Sequence, residues 1–153
     1  MKRLFSNRRL VLALAFLVVA ILYANYTRGF LTSWEVRRIL KDAISVRIIE
    51  YRATDESGDP EVSATKVLTL KEARQVAGCF TPFALTPVAK CQFEPHHTFA
   101  CKQADGREVL VEVCFKCRQL RIGGGPVLGM GRAWEENLQR VLPELGALKN
   151  AAL

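Results

Sequence analysis

The stretch HTFACKQADGREVLVEVCF, residues 97–115, decides the fold that this sequence predicts. Two runs rich in β-branched and aromatic residues flank Ala-Asp-Gly, which is the pattern of a β-hairpin. A two-residue loop and a three-residue loop with a glycine bulge differ by one position, and such a slip exchanges the two faces of a strand. The three-residue loop is the one that matches charged with charged and apolar with apolar residues. It pairs Lys102 with Glu108, Cys101 with Val109, Phe99 with Val111, Thr98 with Glu112 and His97 with Val113. We predict this register, which also places His96 opposite Cys114.

Further strands are predicted on both sides of the hairpin. SVRIIEYR, Ser45–Arg52, and VSATKVLTL, residues 62–70, are separated by the turn-forming residues TDESGDP, Thr54–Pro60. RQLRI, Arg118–Ile122, is predicted to add a third strand to the hairpin. Prolines and glycines in CFTPFALTPVAK, residues 79–90, and in GGGPVLGMG, residues 123–131, predict irregular structure there.

Helices are predicted from capping boxes and apolar spacing. Thr32–Glu35 and Thr69–Glu72 each place a threonine three residues before a glutamate, and the second helix is expected to end near Gly78. The final helix carries an apolar stripe and a proline that weakens its last turn. That stripe consists of Trp134, Leu138, Val141, Leu142 and Leu145, and the proline is Pro143. The predicted fold class is α+β, with an N-terminal transmembrane helix followed by a small antiparallel sheet packed with two or three helices.

The N-terminus carries a targeting segment. Leu10–Ala24 is uncharged and follows the basic run KRLFSNRR, so it is a signal peptide or an uncleaved transmembrane anchor, with a buried core helix as the remaining alternative. Signal peptidase needs small residues at the first and third positions before the cut, and neither cut site, after residue 20 or after residue 24, fits well. We therefore predict an uncleaved signal-anchor over residues 10–27, between a basic N-terminus of residues 1–9 and an exported domain of residues 28–153.

Flanking charges predict how the anchor is oriented. Four basic residues precede the apolar run and only Arg28 closely follows it, which keeps the N-terminus in the cytoplasm. The expected location is the inner membrane of a bacterium, with the domain in the periplasm or outside the cell. Removing those four charges from the net charge of +7 leaves +3, so the domain's charge does not predict nucleic-acid binding. The basic face of the first helix, formed by Arg37, Arg38 and Lys41, is predicted to be solvated, with contact to acidic lipid headgroups as the alternative.

The sequence CFKC, Cys114–Cys117, allows three kinds of site. A disulfide suits an exported domain, and the strand ladder favours Cys91–Cys117, with Cys91–Cys114 as second choice. Such a link would stabilise the domain by about 3 kcal/mol on the chain-entropy model. The alternative is a structural zinc site with ligands drawn from Cys91, His96, His97, Cys114 and Cys117. Thiol redox catalysis needs the first cysteine at a helix N-terminus, and the glycine-rich segment that follows argues against a helix there.

The remaining two of the five cysteines, Cys79 and Cys101, form either a second bridge or plain buried thiols.

The segments CQFEPHHTF and VCFKC resemble the core of a family of small exported bacterial proteins to which no activity is assigned. That family carries a cysteine, then proline, a basic residue and histidine, and then a CFxC strand. The resemblance covers residues 91–117 and implies that six residues form the site. These are Cys91, Pro95, His97, Cys114, Phe115 and Cys117. His96 stands where the family has arginine.

Taken together, these patterns predict a membrane-anchored accessory or binding domain with an unspecified protein partner. No cofactor is expected unless zinc is bound, and no catalytic residues are assigned. A cysteine hydrolase is disfavoured because no aspartate or asparagine can be placed to orient His96 or His97. The glycine-rich segment lacks the Lys-Ser/Thr that a phosphate-binding loop requires.

Overall fold

The structure, a computed structural model, describes residues 2–51, 61–82, 85–86, 88 and 90–143. Its fold is α+β, as predicted. In chain order the elements are α1 (Lys2–Asp42), β1 (Ser45–Tyr51), β2 (Val62–Leu68), α2 (Leu70–Cys79), β3 (Leu85–Thr86), β4 (His97–Lys102), β5 (Glu108–Cys114), β6 (Gln119–Ile122), β7 (Leu128–Met130) and α3 (Arg132–Val141). The predicted turn at Thr54–Pro60 and the predicted core residue Leu145 lie outside the described residues.

The described strands form one antiparallel sheet in the order β2-β1-β4-β5-β6-β7-β3. The predicted register of the β4–β5 hairpin is confirmed at every pair. Its loop is a tight turn in which the Gly106 N–H donates to the Gln103 carbonyl at 3.0 Å. Gly106 has a φ of +85°, the left-handed conformation that the glycine bulge requires.

All three helices contribute to a core on one face of the sheet, with α2 in contact with both α1 and α3. The inward-facing positions of each strand alternate with outward-facing ones, as the pleat requires. The inward sheet residues are Val46, Ile48, Phe99, Cys101, Val111, Val113 and Leu120, and the helices add Val36, Leu40, Val76, Trp134 and Leu138. The core therefore begins within the last turns of α1.

The predicted helix start at Thr32–Glu35 is wrong, because α1 runs through it from Lys2 to Asp42. Thr32 and Ser33 are buried in the helix interior instead of capping it. The Ser33 hydroxyl donates to the Phe80 carbonyl just after α2, which ties the two helices together. By contrast, the capping box at Thr69 is confirmed, and α2 ends at Cys79, one residue after the predicted glycine.

Two short strands lie in segments that were predicted to be irregular. β3 and β7 pair with each other, with Leu85 opposite Met130, and extend the sheet beyond β6. Each strand has only two or three residues, which is too few to show a periodic pattern. The glycines and prolines around them therefore predicted irregular structure. α3 ends at Val141, before Pro143, where the prediction expected a weakened turn.

Candidate functional site: the cysteine–histidine cluster

The site lies where β5 turns back into β6. β5 ends at Cys114, and the residues that follow reverse the chain so that Cys114 pairs with Gln119 on β6. Arg118 in this turn has a φ of 49° and its N–H donates to the Phe115 carbonyl at 3.3 Å. A non-glycine residue in the left-handed region is uncommon, so the neighbouring strands hold this turn in a tight conformation. Cys117 is thereby placed on the turn, outside the strand ladder.

A disulfide joins Cys117 to Cys91, which lies in the segment leading to β4. Their Cα atoms are 6.4 Å apart, and the two cysteines are separated by 26 positions in the chain. This is the pairing that the strand ladder favoured, and the second choice, Cys91–Cys114, is not formed: Cys114 is a free thiol. The bond ties the approach to β4 onto the β5–β6 turn.

Cys114 and His96 lie side by side, as the hairpin register predicted. The Cys114 Sγ is 3.8 Å from the His96 Nδ1. The backbone fixes this contact, because the His96 N–H donates to the Val113 carbonyl at 3.1 Å and the His96 carbonyl accepts from the Tyr51 N–H at 3.0 Å. Cys114 itself is fully buried. The pair is therefore an enclosed thiol beside a half-buried imidazole.

His97 points the other way. It occupies an inward position of β4, only 2% exposed, and its ring packs edge-on against Phe115 with centroids 5.2 Å apart. Neither ring nitrogen has a hydrogen-bond partner among the described residues. Burial, and secondarily the charge of His96, lowers the pKa of His97 to about 4, so the ring is neutral at pH 7. His97 is a core side chain rather than a neighbour of Cys114.

The five predicted zinc ligands do not converge. Cys91 and Cys117 are bonded to each other, and His97 lies on the opposite face of the sheet from Cys114 and His96. Across the described part of the chain, no group of three or more histidine, cysteine, aspartate or glutamate side chains is arranged to hold a metal ion. Zinc binding by these residues stays a prediction, as the alternative to the disulfide.

An ion pair next to the cluster was missed by the sequence analysis. Arg121 on β6 donates to both carboxylate oxygens of Glu112 on β5, at 2.6 and 2.7 Å. The guanidinium also lies 5.0 Å from the ring centroid of Phe93, in the segment between Cys91 and His96. The sequence carried a signal for this ion pair, because Glu112 is an outward-facing position of β5 and Arg121 belongs to the predicted third strand. In the sheet the two residues lie opposite each other. This pair and the disulfide hold the same segment from two sides.

Cys79 and Cys101 are free and buried, so the second bridge considered from the sequence is not formed. Burial raises the pKa of the Cys79 thiol to about 11 and that of Cys101 to about 12. Both thiols are protonated at neutral pH, and thiols react as thiolates. Their role in this fold is to fill the core.

Comparison with known proteins gave no match to this chain. No protein-family model matches the chain, and no curated protein and no solved structure matches it. The resemblance to the exported CFxC family therefore stays a prediction. Of the residues it implies, Cys91 and Cys117 form the cross-link, Cys114 lies beside His96, and His97 and Phe115 pack in the core.

Proposed function

We propose that this chain is a single-pass, signal-anchored protein that holds a disulfide-linked binding domain outside the inner membrane of a bacterium. The observation that carries the proposal is the unbroken course of α1 from an exposed apolar segment into the core. Large apolar side chains between Leu10 and Tyr23 are 52% to 76% exposed, whereas Val36 and Leu40 are 0% and 1% exposed. A water-exposed apolar surface of this size needs a membrane or a partner to cover it.

The dimensions of the exposed segment fit a bilayer. Among the described residues, one helix is long and apolar enough to cross a membrane, with a mean hydropathy of 2.2 over its most apolar window, none of which is buried. The eighteen residues of the predicted anchor, residues 10–27, extend about 27 Å at about 1.5 Å per residue, which is close to the roughly 30 Å thickness of the hydrocarbon layer. The basic residues before this segment support a cytoplasmic N-terminus. The disulfide also supports an oxidising compartment for the domain.

A binding role is favoured over catalysis by the state of the site. Cys91 and Cys117 are joined in a cross-link, the free thiol of Cys114 is buried, and His97 is enclosed in the core. These groups stabilise one conformation of the segment from Cys91 to His96. We propose that the segment and the outer sheet face present a fixed surface to a protein partner in the periplasm.

Reporter fusions after Leu153 test the anchoring and its orientation. A reporter enzyme that is active only in the periplasm should be active, and one that is active only in the cytoplasm should be silent. Replacing Lys2, Arg3, Arg8 and Arg9 with glutamine should reduce this asymmetry, because the charge bias is then lost. Activity of the cytoplasmic reporter on the native chain would contradict the orientation. A mature chain that begins near residue 21 or 25 would identify a cleaved signal peptide instead of an anchor.

Thiol–disulfide exchange is a second candidate, favoured by the 3.8 Å contact between Cys114 and His96. His96 would accept the Cys114 proton, the Cys114 thiolate would attack the Cys117 sulfur, and Cys91 would leave as a thiolate and take up that proton. The experiment follows mixed-disulfide formation with oxidised glutathione by intact mass. Exchange that Cys114→Ser abolishes and Cys101→Ala preserves would support an enzyme. Equal rates in both variants would reject it.

A further inference from the structure

One stripe along α1 changes from aromatic to basic as the helix leaves its apolar segment. At about 100° per residue, positions three and four apart lie on the same side of a helix. The stripe consists of Tyr23, Tyr26, Phe30, Trp34, Arg37 and Lys41, with Arg38 at its margin. Its aromatic side chains are 43% to 68% exposed. We call it the aromatic–basic stripe.

The stripe lies on the side of α1 opposite the side that enters the core. That opposite side carries Thr32, Val36 and Leu40, all buried, and Val36 and Leu40 belong to the hydrophobic core. Exposed aromatic rings are unusual beside so much buried surface, since each loses favourable burial by staying in water. A membrane interface is the environment that suits them, because tryptophan and tyrosine concentrate at the headgroup level.

The basic end of the stripe borders a surface cavity of about 370 Å³. The stripe residues Phe30, Trp34, Arg37, Arg38 and Lys41 line it together with Ser33, Asp42 and Pro82. Among the described residues, none of Arg37, Arg38 and Lys41 forms an ion pair with a carboxylate; the Arg38 guanidinium instead lies 4.9 Å from the Trp34 ring centroid. Asp42 is the acidic group in the cavity lining, so three cations outnumber one anion there. The cavity has the charge to receive a phosphate.

The aromatic end of the stripe lies at the headgroup layer, and its basic end lies above it. If the predicted anchor, residues 10–27, fills the hydrocarbon, then along the helix axis Phe30 lies about 4 Å beyond it, Trp34 about 10 Å and Arg37 about 15 Å. Headgroups occupy roughly the first 5–8 Å, and long basic side chains reach back toward the interface. A tilt of about 20°, which is usual for a transmembrane helix, brings the side chains on the lower side of α1 closer to the bilayer, and the stripe can occupy that side.

We propose that the aromatic–basic stripe binds the phosphate groups of anionic phospholipids on the outer leaflet and so fixes the tilt of α1. This inference rests on the anchoring proposed above. The occupant is a lipid headgroup rather than a protein, because the stripe that lines the cationic cavity continues along α1 through Tyr26 and Tyr23 into the exposed apolar segment. Phe30 and Trp34 lie at the headgroup level, Arg37 and Arg38 reach back toward the phosphates, and Lys41 adds positive charge above them.

The test uses the full chain in vesicles of phosphatidylcholine, with or without phosphatidylglycerol, and lipids brominated near the headgroup as quenchers. Trp134 is fully buried, so Trp34 is the tryptophan that the quencher reaches. Phosphatidylglycerol should increase the quenching of Trp34. The triple variant Arg37→Gln, Arg38→Gln, Lys41→Gln should lose that increase. The control triple Lys102→Gln, Arg107→Gln, Arg132→Gln removes the same charge from exposed positions elsewhere and should keep it.

The outcomes separate the two proposals. A chain that floats with the vesicles but shows quenching independent of phosphatidylglycerol overturns the lipid site and leaves the anchor standing. An equal loss in both triple variants also overturns it, because the effect would then follow net charge alone. A chain that does not float with vesicles of either composition rejects the anchor and the lipid site together. Loss of quenching in Trp34→Phe verifies the reporter.

Discussion

His97 shows, at the scale of a single residue, how burial decides chemistry. The sequence made His97 a candidate zinc ligand, because it belongs to the His-His pair that the hairpin brings near the CxxC motif. Its inward position on β4 instead encloses it next to Phe115. The alternation of the hairpin already placed His96 and His97 on opposite faces. Alternation does not say how completely each face is covered. That depends on α1, α2 and α3, whose docking on the sheet is not visible in local spacing.

His97 makes the stability of the fold depend on pH. Its pKa is lowered from 6.5 to about 4 in the folded chain. Between those values the unfolded chain binds a proton that the folded chain does not, so stability falls as the pH decreases through that range. We expect a loss of about 2.5 kcal/mol between pH 7.5 and 4.5 from this residue. His97→Phe should remove that part of the loss, and His96→Gln should remove only a small part of it because burial is the main cause, as measured by urea unfolding of the full chain in mild detergent. An identical pH dependence in the native chain and in His97→Phe would contradict the prediction.

Single elements were predictable where local chemistry and long-range contacts agree. The β4–β5 register followed from a turn that demands glycine at 106 and from matched faces on both strands. The predicted helix start at Thr32 was wrong because α1 already runs through that position. A capping sequence acts only where a helix begins, and no helix begins there. The sequence did not predict strands β3 and β7, because they pair with each other over a long range and are too short to show a periodic pattern.

The disulfide acts between elements, since it ties the segment before β4 to the β5–β6 turn. The double variant Cys91→Ser, Cys117→Ser should lower the free energy of unfolding by about 3 kcal/mol, because the unfolded chain regains the freedom of a loop spanning 26 positions. Reductant should destabilise the native chain by a similar amount and leave the double variant unchanged. Urea unfolding with and without reductant measures both. A native chain that is insensitive to reductant under conditions that break the bond would contradict the prediction.

At the scale of the whole molecule, the C-terminal part of α1 and the sheet domain form one folded unit. Leu40 is 1% exposed in the core, whereas Leu70, on the surface of α2, is 63% exposed. Leu40→Ala should cost about 2–5 kcal/mol and Leu70→Ala less than about 0.5 kcal/mol in urea unfolding. A chain that begins at Asn25 should keep the sheet fold, and one that begins at Ser45 should lose it, as judged by near-ultraviolet circular dichroism. Equal costs for the two leucine variants would mean that the end of α1 is not part of the core.

The length of the unbroken helix α1 also determines the orientation of the domain. If α1 spans the membrane as proposed, no flexible joint separates the membrane from the core, and the number of residues in the helix sets the direction in which the domain faces, viewed down α1. Each residue inserted after Ala24 turns the domain by about 100° and raises it by about 1.5 Å, while four residues return it to within about 40° of its starting direction. A partner fixed in the same membrane would therefore meet the cysteine-linked surface at some insertion lengths and miss it at others. Its binding would rise and fall with the period of an α-helix.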